Sequence, residues 1–430
     1  MEVVPTGTSP GSTLRGATLA DGRRVDVTIG GGTIESVDDA DAGPDGYPGE
    51  HQSLEGYLLL AAAVEPHAHL DKAFLADVVP NETGDLLGAI EAMRAANGRR
   101  NRSETVERAT RAARLMATNG YRAVRTHVDV TDALGVTSVE AVVEARERVA
   151  DVIDVQIVAL VDHPVTGRTG ARLRDLLGEA LAAGADIVGG CPHLETVGDS
   201  PPGSAGASRA ATDVLLTIAA DHGCAVDLHT DETLDPSADG LGELAALVSA
   251  TGFEHAVTAS HCVSLGMRPA AEQRRIAEAV AAAGISVVAL PSTNLYLQGR
   301  SHQQAMPRGV TAVRALREAG VTVAAGADNL QDPFQPLGRA CPFETAALMT
   351  LTTHLLPAEA WACVTAAAAA ATGVGQGDVR PGDRADLLAV RAGSLRAALA
   401  TGPADRIVWR AGQRQQGLQE HVGAGRDVGR

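Results

Sequence analysis

Lysine is almost missing from this chain. Of its 36 basic residues, one is a lysine, Lys72. The arginine bias reflects codon usage and says little about function, but it leaves a single candidate for any catalytic or metal-bridging lysine. Positive charge is scarce overall, because 53 acidic residues bring the formal net charge to −17 at pH 7. With no basic stripe to meet phosphates, no nucleic-acid partner is expected. No apolar run reaches the roughly 18 residues that a membrane helix needs, so no membrane partner is expected. Met1 to Ser12 lacks the basic start and apolar centre of a secretory signal. The five cysteines (Cys191, Cys224, Cys262, Cys341, Cys363) are odd in number and none are spaced C-x-x-C, which argues against a disulfide framework and a thiolate zinc site. The expected location is a reducing cytoplasm.

What is present is a repeat. Short apolar runs alternate with helical stretches: Leu58–Val64, Ala123–Val130, Gln156–Val161, Asp186–Gly189, Ala225–His229, Ala256–Ser260, Ser286–Leu290 and Thr322–Ala325. The intervening segments include Ser103–Asn119, Thr137–Ala150, Ala171–Ala183 and Pro269–Ala283. Glycines at 120, 184, 223, 252, 284 and 320 stand where a helix would stop before the next strand. Strand–helix alternation implies parallel pairing with right-handed crossovers, and eight units suggest a (β/α)8, TIM-like barrel. A doubly wound open sheet is the alternative, but it would carry a Gly-rich phosphate loop after its first strand, and none is present.

The flanks differ from the repeat. Residues 13–40 and 382–412 read as short strands with glycine turns, too few at either end to be stable alone, so both termini are expected to build one small β-sandwich. The expected division is residues 1–57 with 375–430 for the sandwich and 58–374 for the barrel. Residues 41–52 and 198–208 read as loops, 365–372 as an Ala-rich helix, and the tail beyond Gly412 as frayed.

In a barrel of this kind, chemistry gathers at the C-terminal ends of the strands. The first run ends in His67-Ala68-His69, and in extended backbone positions i and i+2 share a face, about 6–7 Å apart. Two neutral imidazoles so placed can lean onto one ion. Later strand ends carry His127 and Asp129, Asp162-His163, His193 and Glu195, His229 with Asp231 and Glu232, His261, Asn294 and Asp328-Asn329. Seven of the 13 histidines fall at these exits, where scattered surface histidines would not cluster. His127 and His193 fit either the site or satisfied rim positions. Asp129, Asp231 and Glu195 fit ion-pair or helix-cap roles as well as functional ones. His67, His69, His229, His261 and Asp328 complete an ordered set on strands one, five, six and eight.

That order, together with Val64-Glu65-Pro66-His67-Ala68-His69-Leu70-Asp71, Val124-Arg125-Thr126-His127-Val128-Asp129-Val130, Gly184-Ala185-Asp186-Ile187-Val188-Gly189, Leu297-Gln298-Gly299-Arg300 and Asp332-Pro333-Phe334-Gln335-Pro336-Leu337-Gly338, resembles the amidohydrolase superfamily over about residues 13–412. The likeness is to its cytosine deaminase-like branch, which includes triazine hydrolases. It implies one Fe²⁺ or Zn²⁺ held by His67, His69, His229 and Asp328. Imidazole and carboxylate donors suit either ion. No lysine follows strand four to bridge a second metal, and Lys72 fits a rim or ion-pair role. The resemblance further implies that His261 and Asp328 position the attacking water and accept its proton, and that Glu232 carries a proton to the ring and leaving amine.

Asp162, His163, Asn294, Gln298, Asn329 and Phe334 are the implied substrate contacts. The family's glutamine after strand three is Asp162 here, which accepts but cannot donate and would favour an aminated or cationic ring edge. Asn329 and Phe334 replace an aspartate and a tryptophan. The expected reaction is hydrolytic deamination of a small amino-substituted N-heterocycle with release of ammonia. The alternative is release of an alkylamine from an N-alkylamino triazine, or opening of a cyclic amide. Relatives suggest a homo-oligomer.

Overall fold

The computed structural model describes residues 11–40, 50–196 and 206–415. Most of the two expected loops, and the tail from 416, lie outside the described residues. Within the first loop region, Glu50–Ser53 is a strand pairing in parallel with Ser12–Arg15.

Eight parallel strands form the central sheet, in chain order: β1 (Ala63–Ala68), β2 (Tyr121–Val130), β3 (Asp154–Val161), β4 (Ile187–Gly190), β5 (Ala225–Thr230), β6 (Val257–His261), β7 (Ser286–Ala289) and β8 (Val323–Ala325). The expected helices are present as Arg102–Asn119, Thr137–Arg148, Ala171–Ala182, Ala270–Ala282 and Ala366–Thr372. The six stop glycines all take positive φ, from 65° at Gly223 to 111° at Gly184, as the left-handed turn back to a strand requires.

The seam between β8 and β1 is closed by a parallel bridge, Ala68 to Asp328, in which the Asp328 N–H donates to the His67 carbonyl at 3.0 Å. Below it, the buried Glu65 carboxylate accepts from the Ala327 N–H with both oxygens at 3.0 Å and from the His67 N–H at 3.2 Å. Burial outweighs these donors and pushes the Glu65 pKa up to about 8.

One expected strand is two. Leu58–Ala61 leaves the barrel and pairs antiparallel with Leu387–Val390 in a second eight-stranded sheet; only Ala63 onward belongs to β1. That second sheet joins Ser12–Thr18, Arg24–Gly30 and Thr33–Asp39 to Leu387–Val390, Arg406–Arg410 and Gln413–Arg414, so both termini build the small β domain. The apolar run hid the handover because both faces of Leu58–Ala61 are buried. Leu58 and Leu60 pack in the barrel-side core, and Leu59 packs in the terminal core with Val27, Leu387 and Trp409.

Candidate active site

Strand periodicity places the site. Arg125, His127 and Asp129 alternate along β2, and Asp227 and His229 along β5, so each set shares an inward face. At the strand exits, His261 (φ 69°) and Asp328 (φ 66°) adopt left-handed backbone, a strained conformation that recurs at functional sites.

These turns bring five side chains together. His69 Nε2 lies 3.3 Å from Asp328 Oδ1 and 3.3 Å from His229 Nε2, His67 Nε2 lies 3.6 Å from Asp328 Oδ1, and His261 Nε2 lies 4.0 Å from Asp328 Oδ2. All five are buried. Their hydrogen bonds define which ring nitrogen is free. Ser260 Oγ–H donates to Asp227 Oδ1 at 3.2 Å, so it accepts from His67 Nδ1–H at 2.9 Å, which leaves the His67 Nε2 lone pair facing the site. His69 Nδ1–H donates to the His127 carbonyl at 3.1 Å, which also turns its Nε2 inward. Burial, reinforced by neighbouring imidazoles, holds the pKa of His67 and His229 well below the usual histidine range, so both rings are neutral.

Lone pairs and a carboxylate thus converge with little to separate them. Among the described residues, His67 Nε2 and both Asp328 oxygens have no hydrogen-bond partner. The ligand atoms of His67, His69 and His229, and of His67, His261 and Asp328, form two compact groups in which they lie within 4.8 Å of one another. Leaving such acceptors buried and unpaired is costly, and a divalent cation resolves the conflict with the histidine–carboxylate donor set that Zn²⁺ or Fe²⁺ accepts. The residues present therefore fit one ion.

Glu232 adjoins this cluster. Its Oε1 is 3.5 Å from His261 Nδ1 and receives Asn294 Nδ2 at 3.5 Å. Burial, then the Asp328 charge, raises its pKa well above the ordinary carboxyl range and favours the protonated form. Asn294 Nδ2 also meets His261 Nδ1 at 3.1 Å, and Gln298 Nε2 donates to the Glu232 carbonyl at 3.2 Å. Burial lowers His261 to about 4.

Above the cluster opens a cavity of about 120 Å³. His69, His229, His261, Glu232 and Asp328 line it, as do Asp162, His163, Asn329 and Phe334. Asn294 and Gln298 do not; they hold His261 and Glu232 from behind. Asp162 lines the cavity with one oxygen held by a neighbouring guanidinium. Arg94 Nη2 donates to Asp162 Oδ1 at 3.0 Å and contacts His163 Nε2 at 3.2 Å. Asn329 is also engaged, donating to Asp332 Oδ2 at 2.8 Å and accepting from Thr293 Oγ1 at 3.2 Å.

The ambiguous residues divide. His193 lines the cavity, its Nδ1–H donating to the His229 carbonyl at 3.1 Å. His127 is wholly buried and stacks on His67, with ring centroids 3.9 Å apart. Asp231 caps the helix Gly240–Thr251 by accepting from the Gly240 and Leu241 N–H groups, and Glu195 anchors Val165 and Thr166, so both hold the bland role. Lys72, buried, and Asp129, partly exposed, form an ion pair that lines the cavity.

Sequence reasoning missed the wall from the helix Leu86–Ala96, which contributes Leu86, Ile90, Met93 and Arg94. It also missed Ser260 and Asp227 behind His67. Asp227 stands two residues before His229 on the same strand face, and that spacing was a usable signal.

Fold and site together define a metal-dependent hydrolase on a (β/α)8 barrel. A model described as the amidohydrolase family matches residues 99–414, and the chain belongs to that family. It is 30% identical over 398 residues to a pterin deaminase of Rhizobium rhizogenes (strain K84 / ATCC BAA-868), covering 91% of this chain and 87% of that one. Among solved structures, it resembles 5-methylcytosine deaminase from Klebsiella pneumoniae liganded with 5-fluorocytosine, with a TM-score of 0.84 and 28% identity over 94% of this chain and 96% of that one. It also resembles N-isopropylammelide isopropylaminohydrolase from Burkholderia multivorans ATCC 17616, with a TM-score of 0.77 and 29% identity over 94% and 98% of the two chains.

Proposed function

We propose that this protein hydrolytically deaminates a small amino-substituted N-heterocycle, of the pteridine or cytosine kind, and releases ammonia. The observation that carries this is the convergence of His67, His69, His229, His261 and Asp328 on one point, with Glu232 beside it and a ring-sized cavity above. Relatives named for pterin and 5-methylcytosine deamination support the choice of rings.

His67, His69, His229 and Asp328 would hold one Fe²⁺ or Zn²⁺. When bound, the ion supplies Lewis acidity and makes water a competent nucleophile near neutral pH. His261 and Asp328 orient that water; His261, neutral because it is buried, accepts its proton. Glu232, held protonated by burial, donates to the ring nitrogen as the amino-bearing carbon is attacked; the resulting carboxylate takes the proton of the new hydroxyl and delivers it to the departing amine, and the proton on His261 then restores Glu232. His163, Phe334, Asp162 and Asn329 line the cavity and would contact the ring. Five free cysteines among the described residues, and no described helix long and apolar enough to cross a membrane, support a cytoplasmic setting. The family resemblance implies a homo-oligomer, and we propose one here.

The apolar wall of Leu86, Ile90 and Met93 favours a second reading, loss of an alkylamine from an N-alkylamino triazine. Both are tested by loading the protein separately with Fe²⁺, Zn²⁺ and Mn²⁺ and assaying aminopteridines, aminopyrimidines and aminotriazines. Ammonia from an aminated ring supports the first, and alkylamine alone supports the second. No amine from any ring with any metal rejects both.

A further inference from the structure

We propose that Lys72 and Asp129 form a matched donor–acceptor pair that reads the lactam edge, a ring N–H beside a ring C=O, of the substrate. The inference rests on the proposed deaminase function only for where the ring lies.

The sequence makes Lys72 anomalous. A chain that uses arginine at every other basic position has an ammonium here. The two groups differ physically: arginine offers a flat fork of donors, lysine a compact point of charge with three N–H bonds. The Lys72 side chain is only 4% exposed, yet it lines the cavity that contains His69, Glu232 and Asp328. Its ammonium contacts Asp129 Oδ1 and, at 3.5 Å, Asp71 Oδ1. Among the described residues no third acceptor meets it, so one N–H remains for a ligand.

Asp129 is the complementary half. Its side chain is 19% exposed, it lines the same cavity, and its oxygens are engaged by Lys72 and by Arg100 Nη1 at 3.2 Å. A carboxylate has about four lone-pair sites, so capacity to accept a ring N–H remains. The pair is fixed from behind. Arg100 Nη2 binds Asp71 Oδ2 at 2.9 Å, the Asp129 N–H donates to Asp71 Oδ2 at 3.3 Å, and Arg108 Nη1 holds the Asp71 carbonyl at 2.8 Å. Such support is what a binding group needs to act without reordering. Lys72 and Arg100 balance Asp71 and Asp129, so the cluster presents a dipole with no net charge. A dipole with donor and acceptor side by side suits a neutral cis-amide edge better than an ionic substituent. Asp162, expected to meet an aminated or cationic ring edge, pairs with Arg94 on another part of the cavity wall.

The test is binding rather than turnover, so it is independent of deamination. Metal-loaded protein is titrated calorimetrically with 2,4-dioxopyrimidine and 2,4-dioxopteridine, lactams with no exocyclic amine, and with 2,4-dimethoxypyrimidine, whose lactim ethers lack the N–H and C=O. Wild type is expected to bind at least one dioxo ring more tightly than the dimethoxy ring. Lys72→Met and Asp129→Asn should each weaken that dioxo ring about 10- to 100-fold while leaving the dimethoxy ring unchanged, the cost of losing a hydrogen bond to a charged group. A purely structural role would weaken all rings alike. Circular dichroism and metal content check each variant, and if Lys72→Met does not fold, Asp129→Asn carries the test. Equal weakening of all rings, no preference in wild type, or no binding of either dioxo ring overturns the proposal. Ammonia release by wild type, scored separately, decides whether the deaminase function stands.

Discussion

His67 and His69 are each aimed by a hydrogen-bond partner on the far ring nitrogen, and this makes the residues behind them measurable. Ser260 gives its proton to Asp227 and receives that of His67 Nδ1. Ser260→Ala removes that acceptor, and metal affinity is expected to fall about 10- to 100-fold, read by competition with a coloured chelator. Unchanged affinity would show that Ser260 only fills space. Glu232 makes no contact that would ligate the ion, so Glu232→Gln should retain metal while turnover falls by about 10²- to 10⁴-fold. Metal analysis and ammonia release check the two halves, and retained activity would remove Glu232 from proton transfer. The H-x-H pair, His229, His261 and Asp328 were legible because each stands at the end of an apolar run. The partner of Asp162 was not, because Arg94 lies 68 residues away on a helix with no motif, and only tertiary packing brings them together.

Among the elements, the seam between β1 and β8 leaves no room for a side chain at Gly326. A Cβ on Gly326 would come within 2.4 Å of Glu65 Oε1 and 3.2 Å of the His67 carbonyl. Gly326→Ala must therefore displace either the carboxylate that clamps Ala327 or the strand that carries the histidines. A loss of about 1–3 kcal/mol is expected, read as a lower urea midpoint. Full stability would mean that the seam has slack. Strand order and helix stops were readable from apolar runs closed by glycines. The division of Leu58–Val64 between two sheets was not, because burial on both faces erases the period-two signal at the handover.

At the scale of the whole molecule, buried titratable groups narrow the pH range of the fold. His193 and His261 are lowered by burial to about 4, against an ordinary value of 6.5. Between those values the unfolded chain binds more protons, so this stabilisation is complete above about pH 6.5 and is lost as pH falls toward 4. Glu65 acts in the other direction. Its pKa is raised to about 8 from 4.5, so the folded chain holds the proton, and that stabilisation is lost as pH rises toward 8. Metal-free protein should be most stable near pH 6.5, with urea midpoints falling by pH 4.5 and by pH 8.5, each side reflecting about 1.4 kcal/mol per pKa unit and group. A flat profile would contradict this.

The chain has one lysine, and His67, His69, His229, His261 and Asp328 lie together at the strand ends. The most direct measurement is ammonia release from the best amino-heterocycle as metal-free protein is titrated with Fe²⁺ or Zn²⁺. Activity should be absent at the start, rise linearly, and level off at one ion per chain. Full activity without metal, or a plateau that requires two ions, would contradict a single-metal hydrolase.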